Sequence, residues 1–127
     1  MTKWEINELE KIGKAEEITL FPLKRDGKFF SSVIIWIVRV DDDLYVRSYK
    51  GNKGSWYQHV QLIHKGHVSA GGITKDVNFI GINIEDKTLH DKIDQEYRVK
   101  YQKYGKAYVD PMISSQAQAT TIRLEPI

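Results

Sequence analysis

The apolar run at residues 29–40 constrains the fold most strongly. It is rich in β-branched side chains and is apolar on both faces of an extended chain, a pattern typical of a strand inside a sheet. The pair Asp26 and Gly27, which favours a tight hairpin turn, comes just before it. We therefore predict that residues 29–40 form the central strand, entered by a hairpin from an edge strand at residues 17–23, where Pro22 limits pairing.

Shorter patterns of the same kinds follow along the chain. Alternating apolar and polar residues predict further strands at residues 44–49, 66–72, 76–84 and 117–125, and helical spacing predicts helices at residues 4–12, 56–63 and 86–104. The last helix carries a stripe typical of a core or a dimer interface, formed by Leu89, Ile93, Tyr97, Tyr101 and Tyr104. Gly71 and Gly72 indicate a bulge or a close backbone approach. About six strands and two long helices predict a mainly β (α+β) fold, an antiparallel barrel or open sheet with helices packed outside.

Composition excludes several classes of protein. The chain of 127 residues has no cysteine, which removes thiol nucleophiles, cysteine-ligated zinc and iron–sulfur clusters. With 41% apolar residues it is expected to form one domain over residues 1–127 with its own core. The most apolar run, residues 33–40, is well short of the roughly 20 residues that cross a bilayer as a helix, and the first residues lack an apolar signal segment. We expect a cytoplasmic protein without a membrane span.

The charged residues are distributed unevenly. Between Leu44 and Lys75 there is no Asp or Glu, although this segment holds five of the 19 basic residues and three of the four histidines. Removing those five leaves 14 basic residues against 17 acidic ones in the rest of the chain. Such a segment indicates either a local anion site or a solvated basic loop. A nucleic-acid binder is not expected, because binding the phosphate backbone uses many basic contacts.

Familiar catalytic and nucleotide-binding motifs are missing. His59, His64 and His67 are five and three residues apart, which is not the four-residue separation of a metalloprotease helix, so no metal site is predicted. The sequence contains no Gly-x-Ser-x-Gly nucleophile turn, no Walker lysine motif and no Gly-x-Gly-x-x-Gly. A phosphate site in this chain therefore has to be built differently.

Residues 47–57 offer such a construction. Arg47 can supply a bidentate fork and Lys50 a mobile positive charge, and glycines at 51 and 54 allow close backbone approach before a helix start with free N–H groups. Trp56 and Tyr57 could cover an aromatic ring, although aromatic residues of this size also build cores. The candidate cofactor-binding residues are Arg47, Ser48, Lys50, Ser55, Trp56 and Tyr57. We expect Arg47→Ala to weaken a phosphate-bearing ligand while leaving the fold nearly intact.

Several segments together resemble a bacterial family of small domains of unknown function. They lie at residues 35–40, 43–51, 55–57, 70–72, 76–77, 93–101 and 120–126, and so extend over nearly the whole chain. More distantly, the order of strand, glycine-containing turn, Trp-Tyr, short helix and strand is similar to deazaflavin-dependent nitroreductases and the wider FMN-binding split-barrel superfamily, which includes pyridoxamine 5′-phosphate oxidase. The resemblance implies an antiparallel split β-barrel with two flanking helices, and a ligand groove at a homodimer interface. It also implies that Arg47, Ser48, Lys50, Ser55 and Trp56 hold a phosphate-bearing cofactor.

Two positions depart from the nitroreductase pattern. His59 stands where those enzymes usually have asparagine, and residues 24–27 (Lys-Arg-Asp-Gly) replace their Gly-Arg-x-Ser-Gly phosphate loop. The resemblance therefore implies FMN before a deazaflavin. Two hypotheses follow: a homodimeric flavin-dependent oxidoreductase, in which the flavin carries out the hydride chemistry, or a non-catalytic homodimeric binding or scaffold domain for another small anionic molecule. The His59 departure favours the second.

Overall fold

The computed structural model describes residues 3–29 and 31–127. Within them the chain forms the strands β1 (Ile18–Pro22), β2 (Val33–Ile35), β3 (Val38–Val40), β4 (Asp43–Val46), β5 (Lys65–Ala70), β6 (Ile73–Gly81) and β7 (Ile122–Pro126). The helices are α1 (Ile6–Lys14), α2 (Ser55–Leu62), α3 (Lys87–Lys100), α4 (Lys106–Val109) and α5 (Ser115–Gln118), with short 3₁₀ turns at Gly51–Lys53, Gln102–Tyr104 and Asp110–Met112. All seven strands belong to one antiparallel sheet in the order β2-β1-β5-β6-β7-β4-β3.

The connection between β2 and β3 shows that this sheet is curled. These two strands form opposite edges of the sheet, yet only Trp36 and Ile37 separate them in the chain. Three Cα–Cα steps of about 3.8 Å cannot span more than about 11 Å. The two edges therefore approach each other at this end, and the sheet closes into a half-barrel, as predicted for a mainly β (α+β) antiparallel barrel.

The prediction of a central strand at residues 29–40 is wrong. The run is divided into β2, which pairs with β1, and β3, which pairs with β4, and both lie at sheet edges; Phe30 is outside the described residues. The break falls at Ile37, because its N–H donates to the hydroxyl oxygen of Tyr101 (3.0 Å) and its carbonyl accepts from Lys100 Nζ (2.5 Å). Side-chain groups thus replace the strand partners that the backbone of Ile37 would otherwise need.

The prediction that residues 17–23 form an edge strand is also wrong. Strand β1 pairs with β2 on one side and with β5 on the other, so it lies inside the sheet. Pro22 is the last residue of the strand, and Leu23 still donates to the carbonyl of Lys65 (2.9 Å), so the missing donor of Pro22 is tolerated at the strand end.

Other boundaries also differ from the predicted ones: the strand predicted at 76–84 ends at Gly81, and the helix predicted at 86–104 ends at Lys100. The turn between β5 and β6 is Gly71 and Gly72, both with positive φ, and residues 73–75 already belong to β6. A Cβ at Gly71 would lie 2.7 Å from the carbonyl oxygen of Lys11, which confirms the close backbone approach. The strand predicted at 44–49 ends at Val46, and residues 117–121 precede β7 because α5 occupies Ser115–Gln118.

Two hydrophobic clusters hold the domain together. The larger packs the inner face of the sheet against α1 and α2, and the smaller packs α3 against β3 and β4. Ile93, Tyr97 and Tyr101 of the predicted helical stripe are fully buried in the smaller cluster, whereas Tyr104 is exposed. The stripe is therefore core along most of its length. Within the described residues, no helix is long and apolar enough to span a bilayer.

Candidate functional site

A cavity of about 810 Å³ opens between the edge strand β2 and the segment that follows β4. Its volume lies in the range of about 300–1,000 Å³ that small-molecule sites occupy. One wall is residues 31–36, the second is formed by residues 47–50 and 54–56, and the third consists of Ala107, Tyr108, Pro111 and Met112. The cavity thus lies between the edge strand β2 and the end of β4.

Five of the six candidate residues lie around this cavity. They are Arg47, Ser48, Lys50, Ser55 and Trp56. Tyr57 does not line the cavity; it is half-buried against the core and meets Trp56 edge-on, with 6.0 Å between ring centroids. Burial raises the pKa of the Tyr57 phenol.

Local backbone geometry brings these residues to one place. After β4 the chain makes a turn in which the N–H of Gly51 donates to the carbonyl of Ser48 (3.0 Å) and the N–H of Gly54 donates to the carbonyl of Gly51 (3.2 Å). A Cβ on Gly54 would lie 2.4 Å from the hydroxyl oxygen of Ser48. Glycine at 54 therefore lets the start of α2 pack directly on the end of β4.

Arg47 faces inward rather than toward a ligand. Its side chain is fully buried, and NH1 forms an ion pair with Asp94 Oδ1 at 2.5 Å. The guanidinium also donates to Thr121 Oγ1 (2.9 Å) and to the carbonyl of Met112 (3.0 Å), and it lies 3.1 Å from His90 Nδ1. With four of its five N–H groups bonded inside the protein, Arg47 forms the floor of the cavity and ties β4 to α3. This buried network argues against the expectation that Arg47→Ala leaves the fold nearly intact.

The partners of Arg47 make a closed buried network. The second oxygen of Asp94 accepts from Gln118 Nε2 at 2.9 Å. Because a guanidinium only donates, Nδ1 of His90 must accept from Arg47, and Nε2 then donates to the carbonyl of Asn83 at 3.0 Å. Sequence reasoning did not find Asp94 and His90. The signal available was a pair of polar residues that flank Ile93 on the buried face of α3.

The features that favour an anion lie at the open side of the cavity. Lys50 is exposed on its rim, and the described lining contains no Asp or Glu. Helix α2 begins beside it with Gly54 at the N-cap, no side-chain cap and no acidic residue in its first turn. The first N–H groups of a helix have no partner within the helix and carry partial positive charge. Lys50, Ser55 and these amides therefore make an electropositive corner.

Exposed apolar and aromatic side chains surround the same opening. Ile34, Tyr49 and Tyr108 are 60%, 61% and 65% exposed, and the half-buried Trp36 forms part of the wall. The Trp36 ring stacks on that of Tyr101 at 4.0 Å with an angle of 3° between the planes. This contact fixes one flat aromatic face at the cavity. Trp36 and Tyr108 were not among the predicted site residues; Trp36 belongs to a run that the sequence assigns to a strand.

The three histidines at residues 59, 64 and 67, for which no metal site is predicted, differ in burial: His64 is exposed, whereas His59 and His67 are half-buried. The ring of His67 lies between Phe21 and Phe29, at 4.6 and 4.3 Å, with Asp76 Oδ1 at 3.9 Å from its Nδ1. Among residues 3–29 and 31–127, no three histidine, aspartate or glutamate side chains are grouped so that they could hold a metal ion.

An antiparallel sheet curled into a half-barrel, with a cavity beside the edge strand β2, defines a protein of the split β-barrel class. The chain belongs to the bacterial family DUF2255, described as uncharacterized proteins conserved in bacteria, whose model matches residues 8–124. No curated protein shows significant sequence similarity to this chain.

Solved structures share the fold at low sequence identity. The heme storage protein HutZ from Vibrio cholerae superposes with a TM-score of 0.64 at 12% identity, covering 98% of this chain and 91% of that one. An FAD-binding protein from Mesorhizobium loti gives a TM-score of 0.61 at 14% identity, with 98% and 91% covered. An F420 reductase gives 0.52 at 12% identity, with 94% and 92% covered. These matches confirm the predicted split-barrel architecture.

Proposed function

We propose that this protein binds a flavin-type cofactor in the 810 Å³ cavity, FMN before a deazaflavin, and acts as an oxidoreductase. The observation that carries the proposal is that one cavity combines an acid-free electropositive corner with a fixed aromatic wall. A flavin phosphate ester has the matching parts, a doubly charged phosphate and a flat ring system. Proteins of this fold are titled FAD-binding protein and F420 reductase, which supports a flavin-type ligand.

The phosphate is assigned to the corner beside α2. Lys50 supplies the charge, and the Ser55 hydroxyl and the first-turn N–H groups of α2 supply directed donors. Ser48, at the base of the same corner, can add a hydroxyl. Arg47 acts indirectly, because its ion pair with Asp94 holds the end of β4 in place. It is a positioning residue for this site.

The ring system is assigned to the aromatic side of the cavity. Trp36 is held flat by its stack on Tyr101, while Tyr49 and Tyr108 are exposed at the opening and can cover a ring without displacing core residues. When bound, the flavin supplies hydride transfer, so the protein is required to bind, orient and shield the ring. A catalytic triad is not needed for such chemistry.

The exposed rim also fits the homodimer that the family resemblance implies. Ile34 and Tyr108 leave apolar surface at an opening that a second copy would cover, and β2 is an edge strand with a free side. We propose that two copies meet at this face and complete the walls of both cavities. A small phosphate-bearing molecule is then the partner of the site, in a cytoplasmic protein that binds neither nucleic acid nor membrane.

A second candidate is a non-catalytic binding domain for another small anion. It is favoured by the burial of Arg47, which leaves Lys50 as the exposed cation of the described lining. One protein of this fold is titled a heme storage protein, and this title names storage, not a reaction.

Titration separates the two candidates. Purified protein is titrated with FMN and, separately, with a deazaflavin cofactor while the fluorescence of the ligand is followed, and light scattering gives the mass with and without ligand. Saturable micromolar binding of a flavin by a dimer supports the oxidoreductase. A folded protein that binds neither ligand contradicts the flavin proposal and leaves the anion-binding domain.

A further inference from the structure

A second cavity lies on the opposite side of the Ile37 break, away from the flavin site. It has a volume of about 420 Å³ and is lined by α1, β3 and α3. Its charged residues are Glu10, Lys14, Arg39, Glu96 and Lys100, and its apolar wall is formed by Leu9 and Val38. None of these residues lines the first cavity. The second cavity is therefore separate from the proposed flavin site.

Lys100 occupies an unusual position for a lysine. It is half-buried at the C-terminal end of α3, its Nζ donates to the carbonyl of Ile37, and it lies 5.1 Å from the centroid of the Tyr101 ring. Among the described residues, no carboxylate oxygen lies within 4.0 Å of this nitrogen. A half-buried ammonium without a close counter-ion loses its proton more readily than an exposed one, and stronger burial has the same effect in lysines that act as nucleophiles.

Burial lowers the pKa of Lys100 to about 8, against the weaker opposing effects of Glu16 and Glu96. The charged and titratable groups that face it are Glu10, Lys14 and Glu16 from α1 and the residues after it, Arg39 from β3, and Glu96 and Tyr101 from α3 and its end. A substantial share of the amine is therefore neutral near neutral pH, whereas a typical surface lysine is almost wholly protonated.

Two further cations line the same cavity as this amine. Lys14 is exposed at the end of α1, and Arg39 is half-buried on β3 with its Nε donating to the carbonyl of Asp41 at 2.7 Å. The bond to a neutral carbonyl leaves the charge of Arg39 without a close ion pair, since Asp42 is 3.9 Å away and largely exposed. Lys14 and Arg39 can thus attract a carboxylate or phosphate group.

We propose that Lys100 is a covalent capture site for small aldehydes or ketones that carry a negative charge. The neutral amine attacks the carbonyl carbon and forms a C–N bond. The carbonyl oxygen then leaves as water, taking both hydrogens of the amine nitrogen and giving a reversible imine, so no oxidant or reductant is consumed. Lys14 and Arg39 hold the anionic group of the substrate.

Reductive labelling tests the proposal. The whole protein is treated with glyoxylate and cyanoborohydride, which traps an imine as a stable secondary amine, and peptide mapping gives the rate at each lysine. At about pH 7.5 the neutral fraction is about a quarter for Lys100 and about one in a thousand for an ordinary lysine. A less basic amine is also a weaker nucleophile, so we expect Lys100 to react about tenfold faster than Lys92, an exposed lysine on the same helix. The ratio should fall as the pH rises, pass through unity between about pH 9 and 9.5, and lie below one at about pH 10.5, where Lys92 is about half neutral and is the stronger nucleophile.

Matched variants separate the amine from the anion recognition. Arg39→Gln and Lys14→Gln should slow labelling of Lys100 by glyoxylate at least about threefold while leaving its labelling by propionaldehyde, a neutral aldehyde, unchanged. Lys100→Arg, which keeps a donor for Ile37, should remove the fast-reacting site altogether. The proposal is overturned if Lys100 in the wild-type protein reacts no faster than Lys92. It is also overturned if the two glutamine substitutions change the rate of labelling by glyoxylate and by propionaldehyde equally.

Discussion

Replacing Arg47 tests whether the floor of the proposed flavin cavity is structural. Arg47→Ala removes the ion pair to Asp94, whose side chain is only 8% exposed, and three further hydrogen bonds. Breaking a buried pair by deleting one partner costs about 3–5 kcal/mol, because the other charge stays buried without compensation. Domains of this size are stable by about 5–15 kcal/mol, so the variant loses a large share of its total stability.

Urea unfolding, followed by tryptophan fluorescence, measures this loss directly. We expect the midpoint to fall with little change in the slope, and the melting temperature to drop by about 10–20 °C. The double variant Arg47→Met with Asp94→Leu is the matched control, since it removes both charges and keeps the volume filled. It should recover part of the loss, because no charge stays buried unpaired although His90, Thr121 and Gln118 still lose their hydrogen-bond partners. If Arg47→Ala unfolds like the wild-type protein, the buried network does not hold β4 to α3 and the reasoning is refuted.

Three further perturbations test other parts of the account. Tyr97→Phe removes a buried hydroxyl that has no hydrogen-bond partner among the described residues, so it should leave stability unchanged or raise it. Tyr101→Phe removes a bonded hydroxyl and should cost about 1–3 kcal/mol in urea unfolding. Equal effects of the two substitutions would contradict these hydrogen-bond assignments. Gly71→Ala should destabilise more than Gly72→Ala, because both have positive φ but only Gly71 lies against the backbone of α1; the reverse order would refute that contact. Burial lowers the pKa of Lys100 to about 8 from 10.5, so unfolding takes up a proton at pH values between these two. The stability of the wild type relative to Lys100→Met should therefore rise from about pH 8 to pH 10. A difference in stability that does not change with pH would exclude the shift.

Local patterns in the sequence predict much of this fold. The alternation after Asp43, the turn signals and the long α3 stripe each reflect short-range physics, and all appear in the structure. The run at residues 29–40 misleads because apolar side chains on both faces indicate burial, not a position in the sheet. Its interruption depends on Tyr101, 64 residues away from Ile37, and no local pattern records that contact.

The candidate site is likewise predicted where it depends on local sequence and not where it depends on long-range contacts. Lys50, Ser55 and Trp56 meet at one cavity because a short glycine-containing turn brings them together, and such a turn is visible in the sequence. Arg47 is buried because it pairs with Asp94. In the sequence, Asp94 is four residues from Arg98, and this spacing suggests instead that the two form a surface pair within α3. Long-range pairing of charges is a tertiary effect, so residue type alone could not distinguish a ligand from a buried support.

The most direct test of the central claim compares FMN with riboflavin, which lacks the phosphate, in the wild-type protein and in two lysine variants. Lys50 lines the cavity, whereas Lys53 is exposed three residues further along and does not line it. We expect wild type to bind FMN more tightly than riboflavin, and Lys50→Ala to weaken FMN binding about tenfold, as loss of a charged hydrogen bond implies. Riboflavin binding by Lys50→Ala, and the binding of both ligands by Lys53→Ala, should be unchanged. Equal affinity for the two ligands, or equal losses in the two variants, would contradict a phosphate site at the start of α2.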